Sequence, residues 1–375
     1  MTADLQSQGY ETGAVLYMAL ELSNTKWRLA FGDGSRQRQV GIAAGAIAEL
    51  LEQLGKVKAK WGMPADTRVM SCYEAGRDGF WLHRQLAELG IDNQVVDAAS
   101  IEVSRRARRA KTDRLDAQAL LEKLMRYAQG ERRVWRVVRV PDPQWEDLRQ
   151  LHRERGQLLK ERTRARNRLI GKLVAQGIRL QPDKGFVQRL EEVRLFDGEA
   201  VPPHLKAGLV REWERLQVVE GQLRTVEGEI QTLIKDRDAL AGVRALMALP
   251  GVGWVGAWTL VLEIFGWREI ANRRQLASLV GLVPSPYNSG SMARDQGISK
   301  AGNRRVRALL IQLAWLWLRY QPQSKHSRWF QERFGGGSKR QRRIGIVGLA
   351  RRLVVDLWRF LESGLVPEGG RVKVA

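Results

Sequence analysis

The stretch AVLYMAL, Ala14–Leu20, is an apolar run that ends immediately before an acidic residue, Glu21. A second stretch, KWRLAF at Lys26–Phe31, alternates polar and apolar residues, and Asn24 marks a turn between the two. Short apolar or alternating runs bounded by turn residues are typical of β-strands. These residues therefore predict two strands at the start of a folded unit.

Strand and helix patterns alternate farther along the chain. The predicted elements are an amphipathic helix over 43–61, a buried strand at Arg68–Cys72, a helix over 78–90, a strand at Gln94–Asp97 and a helix that starts near Thr112. Strands followed by crossover helices are typical of an α/β architecture. We therefore expect an α/β domain over residues 1–140.

Two long helices are expected after the prolines at 141 and 143. The first is a basic helix over about 144–178, and the second covers about 204–240. Apolar residues of the second helix follow a nearly heptad spacing: Leu209, Trp213, Leu216, Val219, Leu223, Val226, Ile230 and Leu233. This spacing predicts an antiparallel coiled-coil arm over 141–241, and a two-helix bundle packed on its own chain fits it equally well. Residues 242–375 are predicted to be mainly helical.

The chain is strongly basic. Among its 375 residues, 63 lysines and arginines outweigh 41 acidic residues and give a net charge of +22. Almost all of the excess lies in the segments 104–116, 149–172, 294–307 and 338–352, with net charges of +4, +7, +4 and +6. Such an excess predicts a polyanionic partner, either nucleic acid or an acidic membrane face. Its spread over several segments suits more than one nucleic acid held at once.

Composition excludes several other classes of protein. A single cysteine, Cys72, rules out a disulfide framework and a cysteine-built zinc site, and the four histidines are too scattered for a local metal motif. The amino terminus has no signal pattern, so a cytoplasmic location is expected. Residues 245–267 carry only one charge, Glu263, and could span a bilayer by length, but Pro250 and three glycines in the first half of the stretch argue against a membrane helix.

Four carboxylates of the predicted α/β domain form a candidate metal centre. Glu21 ends the first strand, Glu74 lies just past the strand at 68–72, and Asp113 and Asp116 share one helix face. Clustered carboxylates repel unless divalent cations neutralise them, and oxygen-only ligands favour Mg²⁺ or Mn²⁺ over zinc. Two such ions can activate a nucleophile and stabilise the leaving oxygen of a phosphodiester. Each acid alone is more often a solvated strand end or a helix cap, so the joint pattern carries the prediction.

Basic residues next to the candidate motifs form the predicted nucleic-acid surface. A charge run is often merely solvated, but an acidic site flanked by arginines suits an anionic substrate. The candidate contacts are Arg105, Arg106, Arg108, Arg109, Lys111, Arg162, Arg164, Arg166, Arg168, Arg294, Lys300, Arg304, Arg305, Lys339, Arg340, Arg342 and Arg343. The last four follow a glycine run and are predicted to lie in a flexible loop. Trp135, among arginines, is a candidate for stacking on a base, whereas Cys72 is expected to be an inert core thiol.

Two motifs of the carboxy-terminal half can also contact phosphate. Leu249–Gly253 is similar to a helix-hairpin-helix turn, in which Gly251 and Gly253 let backbone amides approach a phosphate. Ser289 lies in a predicted glycine-flanked loop beside a basic segment. A serine beside cations can attack a phosphodiester, because the cations lower its pKa and stabilise the developing charge. Both patterns also occur as ordinary turns.

The order of these motifs resembles the DEDD-type recombinases of the insertion-sequence family IS one-ten. The resemblance rests on Tyr73–Gly76, Ala110–Ala117, Leu249–Gly253, Leu279–Pro284, Ser289–Ser291 and Ile298–Gly302, and it covers about 14–365 in order. The string RRAKTDRLD at 108–116 and the Gly76–Trp81 stretch are most similar to the eleven-eleven subgroup of that family.

The resemblance implies an RNase-H-like, RuvC-like domain over 1–140, a coiled-coil arm over 141–241 and a transposase domain over 242–375. It assigns metal binding to Glu21, Glu74, Asp113 and Asp116, and the role of nucleophile to Ser289. The first acid of the family pattern is usually Asp, where this chain has Glu21. Asp33, in a turn, is a weaker substitute.

The resemblance also implies a mechanism and partners. A noncoding guide RNA would pair with donor and target DNA, and cleaved DNA would become linked to the serine as a phosphoserine. Homodimers would pair into a homotetramer in which the acids and the serine come from different subunits. The protein would belong to a bacterial insertion sequence and act in the nucleoid.

The main hypothesis is therefore an RNA-guided, Mg²⁺-dependent DNA transposase. A Holliday-junction resolvase or endonuclease of the same fold, using metal-activated water, would leave Ser289 dispensable. A non-catalytic nucleic-acid scaffold would need neither the four acids nor Mg²⁺. Without the resemblance, the residues indicate only metal-dependent phosphodiester chemistry on nucleic acid.

Overall fold

A five-stranded mixed sheet forms the centre of the amino-terminal part of the chain. Its strands are β1 (Val15–Glu21), β2 (Lys26–Gly32), β3 (Gln37–Ala43), β4 (Arg68–Glu74) and β5 (Asp92–Val96), in the spatial order β3-β2-β1-β4-β5. The first three strands pair antiparallel, whereas β4 lies parallel to β1 and β5 lies parallel to β4. The parallel pairs need helical crossovers, in agreement with the predicted α/β pattern.

The computed structural model describes residues 13–102, 113–289 and 292–373, without the side chains of Asp113 and of residues 286–296. The chain divides into two compact units, Met1–Val140 and Pro141–Ala375. Arg105, Arg106, Arg108, Arg109 and Lys111 lie outside the described residues.

Helices cover both faces of the sheet. The helices of the first unit are α1 (Ile47–Trp61), α2 (Trp81–Glu88) and α3 (Asp113–Ala128). The first two pack on the face that contains Leu20, and α3 packs on the opposite face against Ala19 and Cys72. Cys72 is fully buried, and this burial raises the pKa of its thiol well above the ordinary value. The expected inert core thiol is confirmed.

The sequence pattern missed one strand of this sheet. The helix predicted over 43–61 begins only at Ile47. Residues Gln37–Ala43, for which no strand was predicted, form β3. β3 is an edge strand in which only Ile42 is buried. A strand with so little burial has no regular apolar alternation, so it gives no clear signal in the sequence.

The second unit is built from helices and one hairpin. Its elements are α4 (Pro143–Val174), α5 (Phe186–Glu192), α6 (Pro203–Asp236), α7 (Ala241–Met247), α8 (Trp254–Leu260), α9 (Arg273–Leu279), β6 (Pro284–Ser289), β7 (Met292–Ile298), α10 (Arg304–Tyr320), α11 (Lys325–Phe334) and α12 (Lys339–Ser363). A π-helical turn, Val261–Phe265, follows α8. The apolar stretch 245–267 is thus divided among short elements, and none of the helices in the described ranges is long and apolar enough to cross a membrane.

The two long helices pack against each other in antiparallel directions. Arg155 of α4 donates to Glu227 of α6 over 2.8 Å, and Arg168, farther along α4, pairs with Glu212, earlier in α6. Apolar residues such as Leu169 of α4 share a core cluster with residues of α6. The predicted antiparallel pairing is therefore present within one chain.

Two predictions are wrong: the loop conformation of the basic residues after Ser338 and the exposure of Trp135. Lys339 and its basic neighbours form the first turn of α12 rather than a flexible loop, because Ser338 caps this helix in a capping box with Gln341. Trp135 is 2% exposed, and its ring centroid lies 5.8 Å from that of Tyr127. A buried ring cannot stack on a base without unfolding, so Trp135 is a core residue.

Candidate metal centre and nucleic-acid surface

Glu21 and Glu74 end two neighbouring parallel strands at the same edge of the sheet. Leu20 of β1 lies opposite Tyr73 of β4, so each glutamate is one residue beyond this pair. Side chains alternate between the two faces of a strand. The residues two positions earlier, Ala19 and Cys72, face α3. Both glutamates therefore belong to the α3 face.

Helix α3 adds two acidic positions to this face. Its buried stripe includes Ala117, which shares a core cluster with Ala19 and Cys72. Asp116 directly precedes Ala117 and is half-buried, and the backbone of Asp113 lies one turn earlier. Residues three or four apart in a helix share a face, so both positions continue the stripe that packs on the sheet. The strand ends and helix α3 thus lie on one face of the sheet, and the grouping of the four carboxylates stays a prediction.

A cavity of about 490 Å³ lies at this edge of the sheet. Its lining includes Glu21, Glu74, Asn24 and Asp78, which all offer oxygen atoms. Oxygen donors without histidine or cysteine fit Mg²⁺ or Mn²⁺. Among the side chains that the structure describes, no three acidic, histidine or cysteine residues are grouped closely enough to hold a metal. Asp113, the fourth acid of the predicted set, is not among those side chains.

Asp33 does not lie near the other acids. It follows β2, whose last residue, Gly32, pairs with Tyr17 near the start of β1, whereas Glu21 at the end of β1 pairs with Arg28. Although burial favours its neutral form, hydrogen bonds from Arg36 and Ser35 lower the pKa of Asp33 to about 2. Asp33 is therefore a turn-stabilising residue, and it is wrong as a substitute for Glu21.

Ser289 is the last residue of β6, where its backbone pairs with Met292 of β7. The sequence pattern predicted a simple loop here and missed both strands of the hairpin. Two prolines in β6 conceal the strand, because proline cannot donate to a sheet ladder. At the base of the hairpin, the Ser299 amide donates to the Val283 carbonyl over 2.8 Å. Val283 follows the end of α9 by four residues.

The described basic candidates lie on three helices and at the end of the hairpin. On α4, Arg164 is exposed, Arg162 and Arg166 are half-buried, and Arg168 is paired with Glu212. Lys300, Arg304 and Arg305, at the start of α10, are exposed, and so are Lys339, Arg340, Arg342 and Arg343 at the start of α12. The side chain of Arg294 is outside the described part. These positions keep the cations available to a polyanion, with Arg168 also stabilising the helix pair.

Gly251 and Gly253 lie in the turn between α7 and α8. Gly251 has a φ of +94°, and a Cβ at this position would lie 3.3 Å from the carbonyl oxygen of Leu316. Gly253 caps α8 with a φ of −83° and has open space around it. The glycine at 251 is thus required by the fold, whereas 253 has no such requirement.

Two models of known protein families match parts of this chain. A family model described as "Transposase IS116/IS110/IS902 family" matches residues 243–328, and a model for DEDD transposases of the IS110 type, described as "Transposase", matches residues 40–176. The chain is therefore a transposase with an RNase H-like DEDD domain and a helical carboxy-terminal region. Domains of the DEDD type generally use divalent metal ions.

Individual relatives identify the family. The chain is 42% identical to "Putative transposase y4rJ" of Sinorhizobium fredii, over 97% of this chain and 96% of the relative. It is 30% identical to "Putative transposase y4qE" of the same organism, over 82% and 72%, and 26% identical to "Transposase for insertion sequence element IS1111A" of Coxiella burnetii, over 74% of each chain. The chain belongs to the IS110 family of insertion-sequence transposases, as its motifs predicted. A transposase cuts DNA and transfers its strands, so the protein is a DNA-acting enzyme.

Proposed function

We propose that the protein is an RNA-guided DNA recombinase that cuts and exchanges strands through a covalent phosphoserine. The observation that carries the proposal is the parallel register of β1 and β4, which puts Glu21 and Glu74 side by side on the face that α3 covers. Neighbouring carboxylates repel each other, and a divalent cation between them would relieve this repulsion. The substrate would be a DNA backbone held beside divalent ions at this edge of the sheet.

Four acids of the first unit would hold the metal. Glu21 and Glu74 would supply ligands from the strand ends, and Asp113 and Asp116 from the first turn of α3. When bound, Mg²⁺ would neutralise charge on the phosphodiester and assist the leaving oxygen. Glu21 replaces an aspartate of the family pattern, and its extra methylene group extends the carboxylate farther from the strand.

Ser289 would act as the nucleophile. Its Oγ would attack the phosphorus of a DNA phosphodiester, lose its proton to solvent, and form a new phosphorus–oxygen bond. The bond to one deoxyribose oxygen would break, and that oxygen would take up a proton and leave as a hydroxyl. Reversal by a hydroxyl of another strand would release the serine and complete strand exchange. Exposed Lys300, Arg304 and Arg305 would stabilise the phosphate charge in this step.

A guide RNA and several subunits complete the proposal. The four basic segments can hold RNA and DNA together, and the family resemblance supports a noncoding guide that pairs with donor and target DNA. In a tetramer assembled from dimers, the acids of one subunit would act with the serine of another.

Sequencing of the RNA that copurifies with the protein tests the guided reaction. We expect one discrete noncoding RNA whose loops match donor and target DNA, and cleavage of those DNAs only when RNA and Mg²⁺ are both present. Cleavage that is independent of any RNA would contradict guidance. Cleavage without a covalent intermediate would instead indicate a resolvase that uses water.

A further inference from the structure

Glu263 is a buried acid in an otherwise apolar segment of the second unit. It lies in the π-helical turn Val261–Phe265 and is 5% exposed. Burying a carboxylate is costly unless partners compensate it. π-Helical turns are rare and are frequently found at functional sites. A buried acid in such a turn therefore needs polar partners that compensate its charge.

Its partners come from two other elements of the same unit. Asn303, just before α10, donates its Nδ2 to Oε2 of Glu263 over 2.8 Å. From α4, Arg149 lies 3.5 Å from the same oxygen, and His152 lies 3.8 Å from Oε1. The carboxylate thus joins α4, the π-helical turn and the start of α10.

Asn303 uses both ends of its side-chain amide. Its Oδ1 accepts hydrogen bonds from the backbone amides of Arg305 and Val306, over 3.0 and 3.2 Å, and so caps α10. Because the oxygen is bound at the helix, the Nδ2 group is directed to Glu263. The backbone amide of Asn303 donates to the carbonyl of Leu279 over 2.9 Å. Hydrogen bonds therefore connect Asn303 to α10, to Glu263 and to Leu279.

The hairpin β6–β7, whose first strand ends at Ser289, leads directly into Asn303. We call the contact between Glu263 and Asn303 the anchor. Only residues 299–302 separate β7 from Asn303. Within them, Lys300 has a φ of +55°, and its amide donates to the Gly281 carbonyl over 3.2 Å. Gly302 packs so closely on the Leu279 carbonyl that a Cβ would overlap it. The segment has little freedom, so a displacement of Asn303 would be passed on to the base of the hairpin.

We propose that Glu263, through Asn303, is a positioning residue for the hairpin that carries Ser289. This role rests on the proposed function of Ser289. Glu263 does not contact DNA; it fixes the amide of Asn303, which fixes the start of α10 and the return strand of the hairpin. Arg149 balances the charge of the carboxylate and His152 encloses it, both from α4, so the contact between Glu263 and Asn303 also connects the hairpin to the helix pair.

Asn303→Ser separates this anchor from the helix cap. Serine caps a helix about as well as asparagine does, but it has no amide group to reach Glu263. We expect native secondary structure, hydrogen exchange at the Ser299 and Lys300 amides at least tenfold faster, and covalent adduct formation at least tenfold slower with unchanged DNA affinity. Glu212→Gln, which alters another buried ion-paired acid, is the matched control and should leave exchange at these amides unchanged.

A paired exchange of the two side chains distinguishes positioning from general damage. In Glu263→Gln combined with Asn303→Asp, the new amide donates to the new carboxylate, and aspartate still caps α10. We expect exchange and adduct formation to recover most of the loss seen in Asn303→Ser. Wild-type exchange in Asn303→Ser, or faster exchange with an unchanged adduct rate, would overturn the proposal. Hydrogen exchange is measured without DNA and therefore does not depend on the proposed reaction. If the wild-type protein forms no adduct, the role of Ser289 is refuted, but the effect of Asn303→Ser on hydrogen exchange can still be measured.

Discussion

Glu21 and Glu74 end adjacent parallel strands, each one residue beyond the paired positions Leu20 and Tyr73. This register requires no adjustment of the fold to bring the two carboxylates together, because both strands end at one edge. The helix that covers that edge contributes Asp116 on the same face. The sheet and this helix therefore bring the positions of the proposed metal ligands to one face, and each acid can be tested separately.

Glu74→Gln should abolish metal-dependent DNA cleavage. The substitution keeps the size of the side chain but removes a charged ligand, and we expect a loss of about 100-fold or more in the cleavage rate, in line with loss of a group that stabilises developing charge. Binding of the guide RNA and DNA should persist, which gel-shift titration checks. Asp33→Asn is the matched control, because Asp33 lies away from the centre, and it should cleave at nearly the wild-type rate.

Glu21→Asp should remain active, and Glu21→Gln should not. Aspartate keeps the charged ligand and shortens the side chain by one methylene group, so we expect it still to reach a metal from the end of β1. Cleavage assays over a series of Mg²⁺ concentrations distinguish a weakened ligand from a lost one. Equal activity of the Gln variant and the wild type would remove Glu21 from the metal centre.

Gly251→Ala should destabilise the second unit, whereas Gly253→Ala should not. The first position has a φ of +94° and faces the Leu316 carbonyl, and an alanine there costs roughly 1–2 kcal/mol for the left-handed conformation alone. The second position has a φ of −83° and open space. Urea denaturation measures both effects. An unchanged free energy of unfolding in Gly251→Ala would show that the turn adopts another conformation.

The second unit should lose stability in mild acid because of His152. Burial, together with nearby arginines, lowers the pKa of His152 from 6.5 to about 4, although Glu263 acts in the opposite direction. The unfolded chain therefore binds more protons between these pH values, so the free energy of unfolding falls as the pH drops from 6.5 towards 4. The effect is at most about 3 kcal/mol. His152→Gln should remove this acid sensitivity in urea titrations at pH 7 and pH 4.5, and an unchanged pH dependence would contradict the assignment.

Two arginines of α4 should behave differently when replaced by alanine. Arg164 is exposed, so Arg164→Ala should weaken nucleic-acid binding and lower the slope of log affinity against log salt by about 1 if it contacts a phosphate. Arg168 pairs with the buried Glu212, and Arg168→Ala should also reduce stability by roughly 1–3 kcal/mol. Salt-dependent binding and thermal unfolding separate the two roles. Equal stability of the two variants would show that the ion pair does not stabilise the helix pair.

The sequence predicted the parts of the structure in which local pattern and burial agree. β1 is a nearly continuous apolar run, and the interior of β4 has only Ser71 as a polar residue, because both faces of these strands are covered. Glu21 and Glu74 lie at the ends of these strands, as predicted. The second long helix was predicted because its apolar residues recur at a nearly heptad spacing. β3 and the hairpin β6–β7 were missed, since one is an edge strand and the other contains prolines.

Two errors had a different physical cause. The basic residues after Ser338 looked like a loop because three glycines precede them, but a capping box outweighs their mutual repulsion and starts α12. Trp135 looked exposed because arginines surround it in sequence, while its ring is buried beside Tyr127. The role of Asn303 was also not apparent, since its partner Glu263 lies 40 residues away in sequence.

Detection of a covalent protein–DNA adduct distinguishes a serine nucleophile from metal-activated water. Protein loaded with guide RNA, labelled DNA and Mg²⁺ is denatured, and the label that remains attached to protein is measured and mapped by mass spectrometry. We predict an adduct on Ser289 that disappears in Ser289→Ala and persists in Ser291→Ala, the neighbouring serine. An adduct that persists in Ser289→Ala, or DNA cleavage at the wild-type rate by that variant, would contradict the account.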